Sequence, residues 1–392
     1  MRKKLLIAGG GYADIPLILA AKSLGFYVIT SGNREADLGH RNSDECFLED
    51  FSNKDAMLNL AQRLEIDAIC ASCNDFSAIT SAYIAEKMGL PGHDSYETTL
   101  LIHHKDQYRK FAQKHNIPSP LAEGFTSVKD ALASLINFQL PIIIKPVDLT
   151  GGKGVSKITN IEDAQEKLEK AFDVSRAKRV IIEEFLEGSR HGLSTFIRDG
   201  RVVFYFNDNE HYYLNPYLVS AASTPSIVSS EAVNSLCKTA EKIASLLNLK
   251  TGIFHIQYIL RQGEPVIIEI CRRAPGDLYI KFVQIATGID YPSFIVKAAS
   301  GMNCNDLIQV PPKGYFTRHC MMTSQNGTLK NISISPSVKS NIIDQLIWWQ
   351  KGEQVQNFLT HKFGIVFLQF SSVEEMLHKT EAMQNLIYAE MI

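Results

Sequence analysis

The 392-residue sequence predicts two or three domains, α/β in the first third of the chain and α+β in the rest. Three observations support this fold class. Apolar strand patterns alternate with helical patterns over residues 1–100, which is typical of a parallel, doubly wound sheet. Two later segments have the pattern of β-hairpins, with turns at Asp199-Gly200 and Gln262-Gly263. The chain from Pro311 onward is again rich in strand patterns.

The first region is predicted to end at a proline-bearing passage, residues 116–120. Strands are expected at 4–8, 26–30 and 68–71, and helices at 14–24, 55–64 and 76–88. Each strand is a short apolar run, and two of the helical patterns stop at a glycine, Gly25 and Gly89. This order predicts a parallel sheet with helices packed on it.

Helices and strands continue to alternate beyond the prolines, but the strands are now paired in hairpins. We expect a helix at 127–135, a strand at 142–145, a glycine-rich loop at 148–154, a helix at 161–172 and a strand at 179–183. Hairpins at 193–206 and 254–270 flank the longest predicted helix, 229–247. A polar turn at 325–327 and a helix near 373–389 are expected in the tail.

Composition excludes several classes of protein. With 40 Lys+Arg against 42 Asp+Glu, the formal charge is −2, which argues against a nucleic-acid partner. No apolar stretch approaches the roughly 18 residues of a membrane span. The apolar run before Gly9 is too short for a signal peptide, and the 7 scattered cysteines are expected to be reduced thiols. A cytoplasmic protein with no membrane partner is therefore predicted.

Two short motifs in the first region have simple structural interpretations. The Gly9-Gly10-Gly11 turn could approach a dinucleotide, but Asp14 stands where a third glycine is needed, so a tight strand-to-helix turn is favoured over NAD binding. Cys70 and Cys73 have C-x-x-C spacing without a second pair, which favours ordinary small residues at a strand end. The adjacent histidines His103-His104 are expected to be solvated.

The central segments carry more specific signals. Lys145 ends an apolar strand, and the 148–154 loop supplies glycines and a cation, which suit phosphate oxygens. Gln257 and Glu269 lie on the two strands of one hairpin, where cross-strand pairing would form an oxygen-ligand platform for Mg²⁺. The arginines that follow, Arg272 and Arg273, suit an anionic substrate or, alternatively, a structural ion pair.

The order of these pieces resembles the ATP-grasp superfamily, especially its carboxylate–amine ligases of the carbamoyl-phosphate-synthetase and biotin-carboxylase type. The likeness covers about residues 1–310 and includes Lys105-Asp-Gln-Tyr-Arg109, Leu186-Glu-Gly-Ser-Arg-His191 and Glu269-Ile-Cys-Arg-Arg273. It implies a Rossmann-like pre-ATP-grasp domain with a linker helix, an ATP-grasp domain of two α+β subdomains, and a small strand-rich C-terminal domain. The implied boundaries are 1–117, 118–310 (a lid subdomain at 118–184 and a metal and substrate subdomain at 185–310) and 311–392.

The resemblance also implies a role for individual residues. Lys105 and Lys145 would bind phosphates beneath a flap that contains Gly151, Gly152, Lys153 and Gly154. Adenine would meet Glu183, Glu184 and Leu186, and ribose either Glu187 or His191. Mg²⁺, with Mn²⁺ as an alternative, would bind Glu269 and Gln257, whereas Arg273, His255 and Lys153 would act on the reacting groups. Gln257 and Cys271 depart from the family pattern, because relatives place an acid and an asparagine there.

The activity implied is that of an ATP-dependent ligase, which activates a small carboxylate, most simply an amino acid, as an acylphosphate and joins it to an amine. Two alternatives stay open: a carboxylase-like or purine-biosynthetic ATP-grasp enzyme, and a nucleotide-binding protein without ligase activity. Residues 207–217, polar and aromatic, are interpreted as a substrate-facing loop. A homodimer is compatible with the resemblance.

Overall fold

A computed structural model describes residues 2–149 and 151–392 of the chain. Its first region contains a parallel four-stranded sheet, as the βαβα order predicts. The strands are β1 (Lys4–Ala8), β2 (Tyr27–Gly32), β3 (Glu45–Leu48) and β4 (Ala68–Ala71), in the order β3-β2-β1-β4. The helices are α1 (Ile15–Ser23), α2 (Lys54–Leu64), α3 (Asp75–Met88), α4 (Tyr96–His103) and α5 (Lys105–Lys114). Short 3₁₀ turns cover Tyr12–Asp14 and Leu38–Asn42.

Close packing accounts for the glycine turn after β1. A Cβ on Gly10 would lie 2.0 Å from the His40 ring, and one on Gly9 would lie 2.3 Å from Ser72 Cβ. The carboxylate of Asp14 accepts hydrogen bonds from the backbone amides of Gly11 and Cys73, both at 2.9 Å. The amides at the start of this helical segment are therefore bound by the chain's own carboxylate, which supports the tight-turn interpretation.

A second, antiparallel four-stranded sheet follows the prolines. It comprises β5 (Ala122–Phe125), β6 (Ile142–Pro146), β7 (Ser156–Ile158) and β8 (Val180–Glu184), in the order β5-β8-β6-β7. Helices α6 (Val128–Ser134) and α7 (Ala164–Val174) cover it, and 3₁₀ turns lie at Leu135–Asn137 and Ile161–Asp163. Lys145 lies near the end of β6, as predicted, and the glycine-rich loop connects β6 to β7.

An eight-stranded antiparallel sheet forms the largest part of the molecule. Its strands are β9 (Ser189–Arg198), β10 (Arg201–His211), β11 (Ala221–Thr224), β12 (Gly252–Arg261), β13 (Glu264–Cys271), β14 (Tyr315–Met321), β16 (Ile342–Ile347) and β18 (Gly364–Phe370). They are ordered β13-β12-β9-β10-β11-β14-β18-β16. Helices α8 (Ser230–Leu247), α9 (Tyr279–Thr287) and α10 (Tyr291–Ala299) belong to the same region. Both predicted hairpins are confirmed, since β9–β10 and β12–β13 pair around their expected turns.

The tail contributes β14, β16 and β18 to this large sheet and also forms a small sheet of its own. The small sheet contains β15 (Gly327–Ile334), β17 (Gln354–Val355) and β19 (Ile387–Met391), accompanied by α11 (Pro336–Lys339), α12 (Val373–Glu381) and α13 (Met383–Leu386). The helix predicted near 373–389 is divided into α12 and α13, and the prediction is wrong only beyond Leu386. Residues 387–391 pair with β15 instead, which buries Ile387.

One apolar cluster joins the three regions. It includes Leu17 of α1, Val296 of α10 and Phe367 of β18, all of them buried. Helices α1 and α10 pack against each other, so the first sheet is fixed to the large sheet through this core. The seven cysteines are free thiols. Among the helices described, none is long and apolar enough to cross a membrane.

Candidate active site

A cleft of about 270 Å³ lies between the second sheet and the large sheet. Its wall contains most of the residues that the sequence singled out. These are Lys105, Lys145, Gly151, Gly152, Glu183, Glu184, Leu186, His255, Gln257, Glu269 and Arg273. The fold thus brings together side chains from α5, the second sheet, the flap and the β12–β13 hairpin.

Two lysines reach into the cleft from different elements. Lys105, the first residue of α5, places Nζ 2.8 Å from the Leu149 carbonyl oxygen and 3.3 Å from Glu269 Oε1. Lys145 places Nζ 2.7 Å from Glu183 Oε2. Both ammonium groups are held by acceptors that a bound anion could replace or share, so the lysines are positioned before any ligand arrives.

Glu183 lies beneath the cleft as a buried anchor. Arg109 contacts its second oxygen at 2.9 Å, and both side chains are almost fully buried. Burial alone would raise the pKa of Glu183, but the charges of Arg109 and Lys145 outweigh burial and lower it. Burial conversely lowers the pKa of Lys145. The carboxylate of Glu183 therefore contacts two cations at the wall of the cleft.

The residues that follow Glu183 shape the cleft wall. Glu184 Oε1 accepts a hydrogen bond of 2.9 Å from the Leu121 amide, which ties the end of β8 to the segment after the prolines. Leu186 is buried and lines the cleft. These positions are compatible with the adenine contact that the sequence resemblance implies.

A row of side chains crosses four strands of the large sheet at the base of the cleft. Glu269 pairs with Gln257, as predicted, and Gln257 pairs in turn with Gly192, which pairs with Asp208. A Cβ on Gly192 would lie 2.8 Å from Asp208 Oδ1, so the glycine makes room for that carboxylate. Because directly opposed residues share a face, Asp208 faces the cleft together with the hairpin pair.

Glu210 joins this row from the same strand as Asp208. Its Oε1 accepts a hydrogen bond of 2.8 Å from Gln257 Nε2, and its Oε2 accepts one of 2.6 Å from the Tyr212 hydroxyl. Sequence reasoning missed both acids, because residues 207–217 were interpreted as an irregular loop. Residues 207–211 instead belong to β10. The signal was present in the i, i+2 spacing of the two acids, which places them on one face of a strand.

Arg273 is fixed by the first region of the chain. Its Nε lies 2.8 Å from Asp75 Oδ1 at the start of α3, and His103 Nδ1 lies 3.0 Å from the same oxygen. Burial opposes ionisation of Asp75, but the Arg273 charge outweighs it and holds the pKa of Asp75 far below its usual range. The expectation of a solvated His103 is wrong, because its side chain is fully buried in this contact.

The site described above agrees with what the chain is similar to among known proteins. Residues 103–214 match the sequence profile described as phosphoribosylglycinamide synthetase, ATP-grasp (A) domain. The chain contains an ATP-grasp domain. The resemblance noted in the sequence is thereby confirmed. The region that carries Lys105, Lys145 and the glycine flap lies within the matched segment.

Relatives extend the likeness to the whole chain. The C-terminal section of the carbamoyl phosphate synthase large chain from Methanocaldococcus jannaschii is 24% identical over 331 residues, which is 79% of this chain and 53% of that protein. Among solved structures, the L-amino acid ligase from Bacillus licheniformis has a TM-score of 0.82 at 18% identity. Phosphoribosylglycinamide synthetase from Anaerococcus prevotii has a TM-score of 0.78 at 21% identity. Both structures align over 100% of each chain, so the ATP-grasp fold extends beyond the profile match.

The chain spans between 20% and 53% of the length of four curated relatives it matches, which are carbamoyl phosphate synthase large chains or a section of one. Residues 103–214 match an ATP-grasp profile, and the whole chain shares its fold with the two solved structures. Which carboxylate and which amine the chain uses is a separate question, which depends on the residues of the cleft.

Several residues assigned by resemblance lie outside the cleft wall. His191 is buried against the Tyr258 ring, with Nε2 2.7 Å from Ser189 Oγ. Glu187 and Lys153 are exposed, and Gly154 packs against Pro146. The structure thus brings neither candidate ribose contact into the cleft. Lys153 lies on the flap and points to solvent in this conformation.

His255 and Cys271 are neutral in this ATP-grasp cleft. Burial lowers the pKa of His255 to about 3, so its ring can form hydrogen bonds but carries no charge at neutral pH. Burial raises the pKa of the Cys271 thiol to about 11, and its Sγ lies 3.6 Å from the Arg273 carbonyl oxygen. Neither side chain therefore supplies charge to the site.

Asp277 forms a contact point for all three regions at the edge of the cleft. Its carboxylate accepts hydrogen bonds of 2.6 Å from the Tyr12 hydroxyl and from Lys362 Nζ, and Arg318 donates to its backbone carbonyl at 3.0 Å. The Tyr12 ring also stacks on Trp348 with centroids 4.2 Å apart. The tail therefore contributes directly to the architecture of the site.

Proposed function

We propose that the chain is an ATP-dependent ligase that forms an amide or peptide bond. A carboxylate oxygen of the substrate attacks the γ-phosphorus of ATP, the bond to the bridging oxygen breaks, and ADP leaves. The amine nitrogen then attacks the acyl carbon, the carbon–oxygen bond to phosphate breaks, and the amine loses a proton. The net products are the amide, ADP and phosphate.

The convergence of Lys105, Lys145 and Glu269 supports this proposal most strongly. Two ammonium groups and the carboxylate of Glu269, the proposed metal ligand, line one cavity. Such an arrangement suits a polyphosphate, whose charge needs several cations that are already in position. Lys105 would exchange its contact with Glu269 for phosphate oxygens, which frees the carboxylate for a metal ion.

The oxygen donors of the β12–β13 hairpin fit a magnesium ion. The amide nitrogen of Gln257 is bound to Glu210, so its carbonyl oxygen is the atom left for coordination beside Glu269. The described residues bring together no group of three or more His, Cys, Asp or Glu placed to hold a metal. Mg²⁺ would therefore be held by Glu269 and Gln257 with the nucleotide, and when bound it supplies positive charge to the phosphates.

Arg273 is the residue expected to hold the reacting carboxylate. Its guanidinium lines the cleft, while Asp75 fixes its Nε, which leaves other donors of the same planar group for the substrate. Tyr212 and Tyr217 also line the cleft, and this supports a small-molecule pocket at this end. Tyr213 is turned away and packs near His319.

An assay for ADP and phosphate release tests the proposal. The purified protein is incubated with Mg²⁺ and ATP across pairs of the twenty L-amino acids, and the coupled products are identified by mass spectrometry. We expect release to depend on a productive pair. ATP binding without phosphate release for any carboxylate and amine would instead favour a nucleotide-binding protein without ligase activity.

Two lysine variants link the activity to the site. Lys145→Ala should weaken ATP binding about ten- to a hundredfold, because it removes a charged phosphate partner. Lys114→Ala, on the exposed end of α5, is the matched control and should bind ATP normally. Equal affinity in the two variants would contradict the assignment of the nucleotide site.

A further inference from the structure

The acids that line the cleft differ in how their charges are balanced. Most have a cationic partner within the described chain: Glu183 contacts Lys145 and Arg109, Glu269 contacts Lys105, Asp277 contacts Lys362, and Glu184 lies 3.6 Å from Arg261. Asp208 and Glu210 have no salt bridge to any residue in 2–149 or 151–392. These two carboxylates are the uncompensated part of the cleft.

The groups that contact this acid pair are neutral hydrogen-bond donors. Tyr279 donates its hydroxyl to Asp208 Oδ1, and Tyr212 and Gln257 donate to Glu210. Asp208 is fully buried, and its Oδ2 has no hydrogen-bond partner in the described residues. A buried carboxylate oxygen without a partner is costly, so the site is expected to have a ligand that donates to it.

The nearby arginines are directed elsewhere. Arg318 donates to the Asp277 carbonyl oxygen at 3.0 Å, and Arg190 donates to the Pro216 carbonyl oxygen while its guanidinium lies 4.5 Å from the Tyr212 ring centroid. Neither guanidinium lies within salt-bridge distance of Asp208 or Glu210.

We propose that Asp208 and Glu210 bind the ammonium group of the substrate whose carboxylate is activated, so that this substrate is an amino acid. This inference rests on the proposed ligase function. An ammonium group has three donors, enough to contact both carboxylates at once. It satisfies the unpartnered Asp208 oxygen and offsets one of the two negative charges without the further ligands that a metal ion requires.

The position of the pair explains why the ammonium belongs to the activated substrate. Gln257 lies between Glu210, which accepts its amide hydrogen bond, and Glu269, its cross-strand partner. An ammonium bound at Glu210 is therefore about one side chain from Glu269, the proposed metal ligand. In an α-amino acid the ammonium and carboxylate are separated by one carbon, so the carboxylate of the same molecule stays within the cleft that Glu269 and Arg273 line.

Isosteric variants test the assignment by binding rather than by activity alone. Titration calorimetry in the presence of Mg²⁺ and ADP measures the affinity for each of the twenty L-amino acids, and for the N-acetyl derivative of the tightest binder. We expect Glu210→Gln and Asp208→Asn to weaken that amino acid about ten- to a hundredfold, the loss expected for a charge-assisted contact. The affinity for ADP should stay within about twofold, since neither acid contacts Lys105 or Lys145.

One further readout is specific to an ammonium site. The wild type should reject the N-acetyl derivative, and this discrimination should disappear in Glu210→Gln. A merely structural role for Glu210 would not change the discrimination.

Control variants keep the proposal falsifiable. Glu264→Gln, on the exposed start of β13, should leave every affinity unchanged. If Glu210→Gln fails to fold, Tyr212→Phe removes one donor to Glu210 and should weaken the same amino acid about threefold to tenfold. Unchanged amino-acid affinity in the folded variants, or a loss confined to Mg²⁺ affinity, overturns the proposal, as does the absence of binding by any L-amino acid.

The outcomes separate this site from the ligase function. Amino-acid binding that depends on Glu210, without ADP release for any amine, would refute the ligase and leave the ammonium site standing. ADP release with an unchanged KM for the amino acid in Glu210→Gln would refute the site and leave the ligase standing.

Discussion

Replacing Asp277 by asparagine should destabilise the whole protein, because this carboxylate joins all three regions of the chain. Tyr12 from the first region and Lys362 from the tail both contact it at 2.6 Å, and Arg318 Nη1 lies 3.6 Å away. The side chain is 15% exposed and that of Lys362 is 11% exposed. Asparagine keeps the shape and some hydrogen bonds but leaves two buried cations without their counter-charge.

The magnitude follows from the proton affinity of the carboxylate. Burial alone would raise the pKa of Asp277, but Lys362 and Arg318 outweigh it and lower the pKa from 3.8 to about 2. At about 1.4 kcal/mol per tenfold change in affinity, the ionised form contributes about 2 kcal/mol to the free energy of unfolding at pH 7. Because folding lowers the pKa, the ionised carboxylate stabilises the fold at pH values above the pKa of the unfolded state. This stabilisation is lost as the pH falls towards about 2. The difference between wild type and variant should therefore shrink to roughly half by pH 3.

Urea unfolding followed by tryptophan fluorescence measures this difference, since Trp348 stacks on Tyr12 beside the carboxylate. Asp344→Asn is the matched control, because Asp344 contacts Lys281 at 2.7 Å but is 41% exposed. Exposed pairs contribute about 0–1 kcal/mol. If Asp277→Asn costs no more than Asp344→Asn at pH 7, or if its cost does not fall with pH, the reasoning is refuted.

Three further results are expected. Lys145→Met should raise the dissociation constant of ATP about ten- to a hundredfold in equilibrium binding, the loss of one charge-assisted contact; an unchanged constant would contradict the nucleotide site. As the pH rises from 4 to 8, Asp208→Asn should become more stable relative to the wild type. The raised pKa of Asp208 makes the wild type lose stability over this range, and urea unfolding at both pH values checks the sign. Cys271→Ser should keep the Mg²⁺ dependence of ADP release, because the neutral thiol contacts the Arg273 carbonyl oxygen; a large change would identify Cys271 as a metal ligand.

The sequence predicts those parts of the site that local pattern determines. A hairpin turn sets the register of its strands, so the pairing of Gln257 with Glu269 follows from the turn at Gln262-Gly263. The place of Lys145 near the end of an apolar strand is likewise a local feature. For these residues, spacing along the chain directly determines position in the fold.

Other parts of the site depend on contacts that no local pattern contains. Asp75 and Arg273 are 198 residues apart in the sequence, yet they form one ion pair. Residues 207–211 have few strand-forming side chains, but pairing with β9 and β11 makes them part of β10 and turns Asp208 and Glu210 towards the cleft. Tertiary pairing overrides weak β-propensity here, which is why the acid pair was missed.

The same long-range contacts imply that the ATP-grasp region cannot be separated from its flanks without loss. Arg273 has its partner Asp75 in the first region, and Asp277 has its partner Lys362 in the tail. Removing one partner of a buried ion pair is destabilising, because the remaining charge stays desolvated. A fragment lacking either flank would leave one such charge at the wall of the cleft. The flanks therefore supply counter-charges to residues of the site. The net charge of −2 for the whole chain gives no indication of this local balance.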